Sequence, residues 1–464
     1  MDEAAVSESS VIEPFELSYS DLLILSKYNE IDDSSSSLSE EEITRRKSMR
    51  RCIMEALGPE GPGLLSISGV TGASVLRRRI LLLGRELALL DPERRKRILK
   101  EQCLGSDVPL KDPDRSVSSF AMQLKYAEGV GNSQSKEDKE LSQISSLGNN
   151  GFNMNKMMNI QHEDFHHLGS SFKELGFIMM DLGIRLARIC DWSIGGHELE
   201  LSLMESSSAK GRLIHYHSVK ENVVLKQSEK KLGVNKSRIS CKKNAKHDKS
   251  KMDISTANEV QPCDIMSNLW QQWHYDYGIF TVLTAPMFLL STLPGEGGEY
   301  NRLFDSSVQE CPYPDEHTHL QILHPRKGKV FMVKTSPESF IIQVGESADI
   351  LSKGKLCATL HCVHRPPRCK DMSRETFVLF LQPAWTKTFT FSGYPVDQLV
   401  FDCGDSKSSE DDCPLNKHDR RLANGILKLV PPLMSRLKDG MSFAEFSRET
   451  TKQYYGGRGL QANR

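Results

Sequence analysis

The chain lacks an excess of charge of one sign, because 60 Lys and Arg residues are balanced by 61 Asp and Glu residues. The net charge of -1 excludes a global electrostatic attraction to nucleic acid or to an anionic membrane. A long hydrophobic run is also missing: residues 279–290, the longest nearly apolar stretch, contain Thr and Pro and are too short to cross a bilayer. The beginning, MDEAAVSESS, is acidic and polar, unlike a secretory signal or a transit peptide. We therefore expect no membrane association.

Cysteine pairs with the spacing C-x-x-C are absent as well. The 11 cysteines are an odd number, and no two of them are arranged as C-x-x-C. This pattern argues against a disulfide framework, which is typical of small secreted proteins. We expect a reduced protein of the cytosol, with the nucleus as the alternative location, and we expect it to be a monomer.

One segment has the periodicity of an amphipathic helix. Six apolar residues recur at spacings of three and four and would form one stripe: Phe172, Leu175, Met179, Leu182, Leu186 and Ile189. Ser171 and Glu174 fit a capping box at its start, and Gly195 follows its end. The stripe predicts a helix that packs against the core rather than a ligand surface.

Two segments lack sustained periodicity and are interpreted as insertions. Residues 128–159 are dominated by Ser, Asn, Gly, Lys and Met. Residues 220–251 contain eleven Lys and Arg residues against three acids, with few aromatics. Such a basic run is compatible with nuclear localisation or nucleic-acid binding. A solvated, disordered loop is favoured, because neither interleaved aromatics nor a fold signature accompanies the charge.

Between residues 270 and 385 the pattern changes to short strand-like runs separated by Gly, Pro and charged turns. These runs are residues 280–284, 320–323, 330–333, 340–344 and 377–381. Several short strands with such turns predict a barrel or a jelly roll. An alternating run at residues 64–68 predicts one further strand.

Two His-x-Asp motifs compete as metal sites. At the first, His162, Glu163 and His166 match the H-E-x-x-H pattern of zinc peptidases, in which the glutamate is the base. Phe172 of the apolar stripe stands where an extended motif has a third histidine. The preceding segment, rich in Asn, Met and Lys, is poor material for a buried helix. A polar loop is therefore favoured over a zinc site.

The second motif has a better context. In a strand, His274 and Asp276 point to the same face and can both aim into a barrel. His361 follows the strand-like residues 356–360, which can bring it opposite. His364 has the opposite strand parity, so one of these two histidines is expected to face the metal. Two histidines and one carboxylate are the ligand set of Fe(II) oxygenases, which leaves three positions open on the metal.

Arg374 and Thr376 lie two residues apart, so that a guanidinium and a hydroxyl can share the inward face of a strand. The planar fork of arginine suits a carboxylate, such as that of a dicarboxylate co-substrate. A structural salt bridge at Arg374 is the alternative, because burial favours this charge only when it is paired.

Together these motifs resemble the plant-type 2-oxoglutarate- and Fe(II)-dependent dioxygenases, which are related to isopenicillin N synthase. The resemblance runs through the H-x-D motif at His274, the string VGESADILSKG and the run ATLH that ends at His361. The run R-E-T at Arg374 falls where the family has Arg-x-Ser. Tyr216, in the run LIHYH, is similar to a tyrosine of the family's Asn-Tyr-Tyr-Pro stretch, which helps to hold 2-oxoglutarate.

The resemblance implies an α+β fold with a distorted double-stranded β-helix core (jelly-roll or cupin-like) and flanking helices. It implies Fe(II) ligands and co-substrate contacts as follows: iron on His274, Asp276 and His361, and 2-oxoglutarate on Arg374, Thr376 and Tyr216. With O2, such a protein would hydroxylate a small organic substrate and release succinate and CO2. A non-catalytic relative that acts as a binding module is the alternative, because the Tyr216 region departs from the family's pattern.

The resemblance covers most of the chain outside the insertions. It divides the chain into residues 1–126, a helical N-terminal region; 127–160, a flexible insertion; 161–218, the core helix and the start of the β core; 219–263, a basic disordered insertion; 264–400, the jelly-roll catalytic core; and 401–464, a C-terminal loop and helices.

Overall fold

The structure, a computed structural model, describes residues 10–27, 38–106, 108, 116–126, 164–223, 225, 268–290, 310–366, 369–395 and 417–455. These residues form helices and two β-sheets, so the fold is of the mixed α+β type that was predicted. Residues 127–160, most of residues 219–263, and the motif residues His162 and Glu163 lie outside the described residues.

The strands and helices follow one another along the whole described chain. The strands are β1 (Val11–Ile12), β2 (Glu16–Ser18), β3 (Leu64–Ser68), β4 (Gly105–Ser106), β5 (Val117–Lys125), β6 (Ser208–Tyr216), β7 (Leu269–His274), β8 (Phe280–Thr284), β9 (Met287–Leu290), β10 (Glu310–Cys311), β11 (Leu320–His324), β12 (Lys329–Val333), β13 (Phe340–Val344), β14 (Leu360–His364) and β15 (Met372–Leu381). The helices are α1 (Tyr19–Leu25), α2 (Glu40–Leu57), α3 (Ala73–Leu89), α4 (Pro92–Glu101), α5 (Leu168–Ile194), α6 (Glu198–Ser206), α7 (Glu346–Leu351), α8 (Lys417–Leu429), α9 (Leu433–Arg436) and α10 (Phe443–Tyr455). None of these helices has the length and apolar character needed to cross a membrane.

The strands form a larger and a smaller sheet. The larger sheet has the order β2-β3-β13-β8-β15-β6-β5-β4, and β9 joins it by pairing with β15 and β10. The smaller sheet has the order β1-β12-β11-β14-β7. The predicted strand-like runs correspond to β3, β8, β11, β12, β13 and β15, so those predictions are confirmed.

The two sheets face each other across one hydrophobic cluster. Ile214 and Val378 enter it from the larger sheet, and Ile322 and Val363 enter it from the smaller sheet. Successive side chains of a strand point to opposite faces. The other face of β15, which carries Phe377, therefore packs into the core formed with α5, and α8 covers the outside of the smaller sheet. The inward side chains of this cluster, such as Ile322 and Val378, are shielded from solvent.

Helix α5 confirms the predicted apolar stripe, whose six residues are all 0 % exposed. Phe172 packs edge-on against Phe377, with 4.7 Å between ring centroids. Gly176 and Gly183 let the helix approach the sheet, because a Cβ at these positions would lie 2.2 and 2.0 Å from leucine Cδ1 atoms. The helix ends at Gly195, as predicted, in the left-handed conformation with a φ of 84°.

The predicted start of α5 is wrong. The helix begins at Leu168 with His167 at the N-cap position, and Ser171 is buried in its first turn. A 3₁₀ turn, Asp164–His167, leads directly into the helix. The chain is therefore already helical when it reaches Ser171, and this serine does not act as a cap.

The end of β6 and the start of β7 are in contact, although the basic insertion separates them in the sequence. Trp270 Nε1 donates to the His217 carbonyl at 3.0 Å. The rings of Trp270 and Tyr216 lie 5.7 Å apart. The two ends of the intervening segment therefore meet at the edge of the inter-sheet core.

Replacing Phe172 with Ala is expected to lower the free energy of unfolding by about 3–5 kcal/mol, because it leaves a cavity between α5 and β15. Denaturant unfolding measures this loss. Glu174→Ala, an exposed position of the same helix, is the matched control and should cost less than about 0.5 kcal/mol. Equal costs at the two positions would contradict the packing described for the stripe.

Candidate metal centre

Strands β7 and β14 bring two histidines together. The strands pair antiparallel, with His274 and His361 opposite each other in the register and 4.3 Å between their ring centroids. Asp276 lies beside both, because its Oδ1 is 3.7 Å from His274 Nε2 and its Oδ2 is 3.8 Å from His361 Nε2. One ligand atom from each residue lies within 4.8 Å of the others, so the three side chains converge on one point.

Asp276 reaches this point by a route that alternation along a strand does not provide. The sequence had suggested that His274 and Asp276 lie in one strand. Strand β7 ends at His274, so Asp276 lies beyond it. Helix α7 holds the following segment, since the Glu346 N–H donates to the Asp276 carbonyl at 2.8 Å. A Cβ at Gly345 would lie 2.3 Å from the Gly278 carbonyl oxygen, so this close approach requires glycine.

His361 is the second residue of β14, which begins at Leu360. The predicted strand at residues 356–360 is therefore wrong. Its backbone is engaged elsewhere: the Cys357 N–H donates to the Leu57 carbonyl at the end of α2, at 2.8 Å. Leu356 is buried in the core that contains Leu57, and the sheet pairing starts only at Leu360.

Hydrogen bonds to the outer ring nitrogens orient both imidazoles. His274 Nδ1 lies 2.7 Å from the Gln272 carbonyl, and His361 Nδ1 lies 3.0 Å from the Thr359 carbonyl. A carbonyl oxygen can only accept, so each Nδ1 carries a hydrogen, which leaves Nε2 of each ring facing Asp276. Metal-binding histidines are commonly held in this way.

The protonation of the site suits a cation. Burial, and then the neighbouring His361, lower the pKa of His274 to about 4, so this imidazole is neutral at neutral pH. Neutral imidazole is the metal-binding form. The Thr281 hydroxyl donates to Asp276 Oδ2 at 2.7 Å and holds the carboxylate in its orientation.

Arg374 lies on the inward face of β15, two positions from Thr376. Its side chain is 2 % exposed, and burial lowers the pKa of its guanidinium. Nε donates to the Thr318 carbonyl at 3.2 Å, and the guanidinium carbon lies 5.4 Å from the centre of the Tyr216 ring. In the described part of the chain no carboxylate forms an ion pair with Arg374, so the structural salt bridge considered above has no partner there.

The hydroxyls of Thr376 and Tyr216 are both engaged within the protein. Thr376 donates to the Thr284 carbonyl at 3.3 Å. Tyr216 is opposite Arg374 in the β6–β15 pairing, but its hydroxyl donates to Gln271 Oε1 at 2.7 Å. The structure therefore brings Tyr216 to Arg374 through its ring, whereas its hydroxyl points to the glutamine.

A second buried cluster escaped the sequence analysis. His215 Nδ1 lies 2.8 Å from both carboxylate oxygens of Glu375, and its Nε2 lies 3.4 Å from Glu221 Oε2. Burial lowers the pKa of His215, but Glu375 and Glu221 outweigh burial and raise it to about 9. Arg85 donates to Glu221 at 3.0 Å. His215, Glu221 and His217 also have the spacing of metal ligands, so the described chain offers a second buried donor set, in which His215 lies between two carboxylates.

A strained turn lies against Arg374. Three non-glycine residues in it have positive φ angles of 55°, 62° and 56°: Asp315, Glu316 and His319. Such angles are costly and persist only where the surroundings hold them. The turn presents the Thr318 carbonyl to Arg374. His364, the alternative to His361, stacks on His319 with 6.1 Å between centroids and does not join the triad.

The zinc-peptidase pattern receives no support from its described member. His166 is exposed and belongs to the 3₁₀ turn Asp164–His167. In the described part of the chain, three groups of side chains have the spacing of metal ligands, and His166 is in none of them.

Comparisons with known proteins find no match among family models or curated proteins. Among solved structures, a full-length Neurospora crassa protein in complex with alpha-KG is 12% identical, with coverage of 92% of this chain and 100% of that chain and a TM-score of 0.44. JOX2 in complex with 2OG, Fe and JA is 13% identical, with coverage of 95% and 86% and a TM-score of 0.44. Dioxygenase for auxin oxidation in rice is 14% identical, with coverage of 90% and 93% and a TM-score of 0.44. With TM-scores below 0.5, these likenesses do not establish membership of a family.

Replacing Glu375 with Gln is expected to lower the free energy of unfolding by about 3–5 kcal/mol at neutral pH, because it removes a counter-charge from a buried imidazolium. The pKa of His215 is raised in the folded state, so this ion pair stabilises the fold below a pH of about 6.5, the ordinary histidine value, and the stabilisation is lost as the pH rises through about 9. The cost of the substitution should therefore shrink in alkaline buffer.

Urea unfolding of both proteins at neutral pH and above the His215 pKa measures this change. Ser373→Ala, which removes a hydroxyl that donates to Glu375 at 2.9 Å, is the control and should cost only about 1–3 kcal/mol. A Glu375→Gln cost that stays constant with pH would show that His215 is not charged.

Proposed function

We propose that this protein is an Fe(II)- and 2-oxoglutarate-dependent oxygenase that hydroxylates a small organic substrate and releases succinate and CO2. The observation that carries the proposal is the convergence of His274, Asp276 and His361, together with a buried arginine that has no ion pair among the described residues. Two facing sheets with flanking helices support the finer assignment of the core as a distorted double-stranded β-helix, or jelly roll.

The donor set fits Fe(II). Two imidazoles and one carboxylate occupy three positions of a six-coordinate ion and leave three positions open. Neighbouring ligands on an octahedral ion with bonds of about 2.1 Å lie roughly 3 Å apart. The 3.7 and 3.8 Å between Asp276 and the two Nε2 atoms therefore require only small side-chain movements on metal binding.

The residues of the chain bind the reactants and keep water out. His274 and His361 keep their hydrogens on Nδ1 and offer Nε2, and Asp276 offers an oxygen. Bound Fe(II) would supply the oxidation of a C–H bond by O2, coupled to the decarboxylation of 2-oxoglutarate. The hydrophobic side chains between the sheets exclude water, which protects the reaction from side products.

Arg374 would pair with the far carboxylate of 2-oxoglutarate, and the Thr376 hydroxyl would turn from the Thr284 carbonyl to donate to the same group. A buried guanidinium without a counter-charge is unfavourable, and a carboxylate supplies that charge. The histidine ligands belong to the smaller sheet and Arg374 belongs to the larger sheet. An elongated dicarboxylate that bridges the two sheets satisfies both groups.

One experiment separates this proposal from its two alternatives. The purified protein is loaded anaerobically with Fe(II), its metal content is measured, and succinate formation from 2-oxoglutarate is followed after O2 is added. Succinate supports the oxygenase, and bound iron without turnover supports a non-catalytic binding module. Bound zinc that depends on His162 supports a zinc peptidase.

His274→Ala and Asp276→Ala are each expected to weaken Fe(II) binding by more than about 100-fold, because even the outer partners of metal ligands are worth 10–100-fold. Equilibrium titration under anaerobic conditions measures the affinity. His364→Ala, on the same strand as His361 but outside the triad, is the control and should keep wild-type affinity. Unchanged iron affinity in both triad variants would refute the site.

Arg374→Met is expected to weaken the binding of 2-oxoglutarate by about 10–100-fold and to leave Fe(II) affinity nearly unchanged, since a hydrogen bond to a charged group contributes about 1.5–3 kcal/mol. Titration of the Mn(II)-loaded protein with 2-oxoglutarate measures the effect. Because Arg374 is buried, thermal unfolding is followed in parallel, and Arg374→Lys, which keeps the charge, should lose less affinity. An equal loss of metal and 2-oxoglutarate would indicate a structural role.

A further inference from the structure

A chain of hydrogen bonds joins Tyr216, whose ring lies beside Arg374, to the candidate metal centre, and the proposed function leaves this chain unused. The Tyr216 hydroxyl donates to Gln271 Oε1 at 2.7 Å. The amide nitrogen of Gln271 lies 2.9 Å from His274 Nε2, the nitrogen that faces Asp276. Gln271 therefore bridges the two halves of the site.

A β-bulge in β7 brings Gln271 to this position. In the pairing with β14, His274 is opposite His361, but Gln271 is opposite Val363. Three residue steps along β7 therefore match two steps along β14. Residues three apart on a regular strand point to opposite faces, whereas the bulge turns Gln271 and His274 to the same, inward face. Val363 belongs to the inter-sheet core, which fixes that face as inward.

The donors and acceptors around Gln271 determine the orientation of its side-chain amide. Burial raises the pKa of Tyr216 to about 12, so the phenol is protonated and donates to Oε1. His274 Nδ1 carries its hydrogen toward the Gln272 carbonyl, so Nε2 is an acceptor. The Gln271 amide therefore donates to the lone pair that a metal would take.

We propose that Gln271 is a positioning residue that donates a hydrogen bond to the oxygen of a 2-oxo acid carboxylate bound at the metal. Metal binding to His274 Nε2 takes away the acceptor of the amide, while Tyr216 still holds Oε1. The nearest acceptors that an amide aimed at this nitrogen can reach are the other atoms on the metal. An anionic oxygen is the best of them, because a hydrogen bond to a charged group is roughly twice as strong as a neutral one.

This inference rests on the proposed function and has a signature that a structural role lacks. Metal binding must break the hydrogen bond between Gln271 and His274, so removing the amide will not lower the affinity for the metal. It will lower the affinity for the 2-oxo acid. The two affinities therefore change independently, and in opposite directions if the lost bond competes measurably with the metal.

The test compares Gln271→Leu with the wild type in calorimetric titrations, first of the apoprotein with Mn(II) and then of the Mn(II)-loaded protein with 2-oxoglutarate. We expect Mn(II) affinity to be equal or tighter and the Kd of 2-oxoglutarate to rise about tenfold. Tyr216→Phe should raise the Kd in the same direction, and the double variant should resemble Gln271→Leu alone, because both changes remove one interaction. The visible charge-transfer absorption of the anaerobic Fe(II) complex with 2-oxoglutarate should shift in Gln271→Leu.

Gln272→Leu is the matched control, because Gln272 contacts His274 through its backbone carbonyl, and it should leave both affinities unchanged. Wild-type 2-oxoglutarate affinity in Gln271→Leu would overturn the role of Gln271 and leave the proposed function standing. An equal loss of affinity for Mn(II) and for 2-oxoglutarate would do the same. A wild-type protein that binds Mn(II) but not 2-oxoglutarate would overturn the proposed function together with this inference.

Discussion

The pairing of β7 with β14 is the constraint on which the rest of the site depends. Backbone hydrogen bonds place His274 directly opposite His361, and a slip of one residue would turn one imidazole to the outside of the sheet. The bulge in the same pairing turns Gln271 inward as well. A few main-chain contacts therefore decide which side chains meet, and the surrounding hydrogen bonds to Nδ1 and to Asp276 only refine their orientation.

Strand β15 carries two different electrostatic arrangements on its two faces. Inward, Arg374 is buried without an ion pair in the described structure, which favours an anionic ligand. Outward, Glu375 is buried with His215, and with Glu221 and Arg85 the charges balance. The outward network is balanced without a ligand. The charge of Arg374 on the inward face is compensated only when an anionic ligand binds.

Local patterns were enough to predict the apolar stripe of α5 and six of the fifteen described strands, because each depends on residues close in sequence. Parity along β14 also separates His361 from His364. What failed depends on distant contacts: Asp276 is held by α7, and Cys357 is bonded to the end of α2. The partner of His215 could not be predicted, because Glu375 becomes its neighbour only through the register of β6 with β15. The roles of the triad, Arg374 and Thr376 remain predictions for experiment.

The hydrogen bond from Trp270 to the His217 carbonyl has a consequence for the evolution of the chain. It closes the segment between β6 and β7 at its base, so the length of that segment is nearly independent of the geometry of the site. Doubling such a loop costs only about 0.6 kcal/mol of closure entropy. Because Glu221 belongs to the buried network of His215, the chain can change in length after Glu221 while Tyr216 and Gln271 keep their contact.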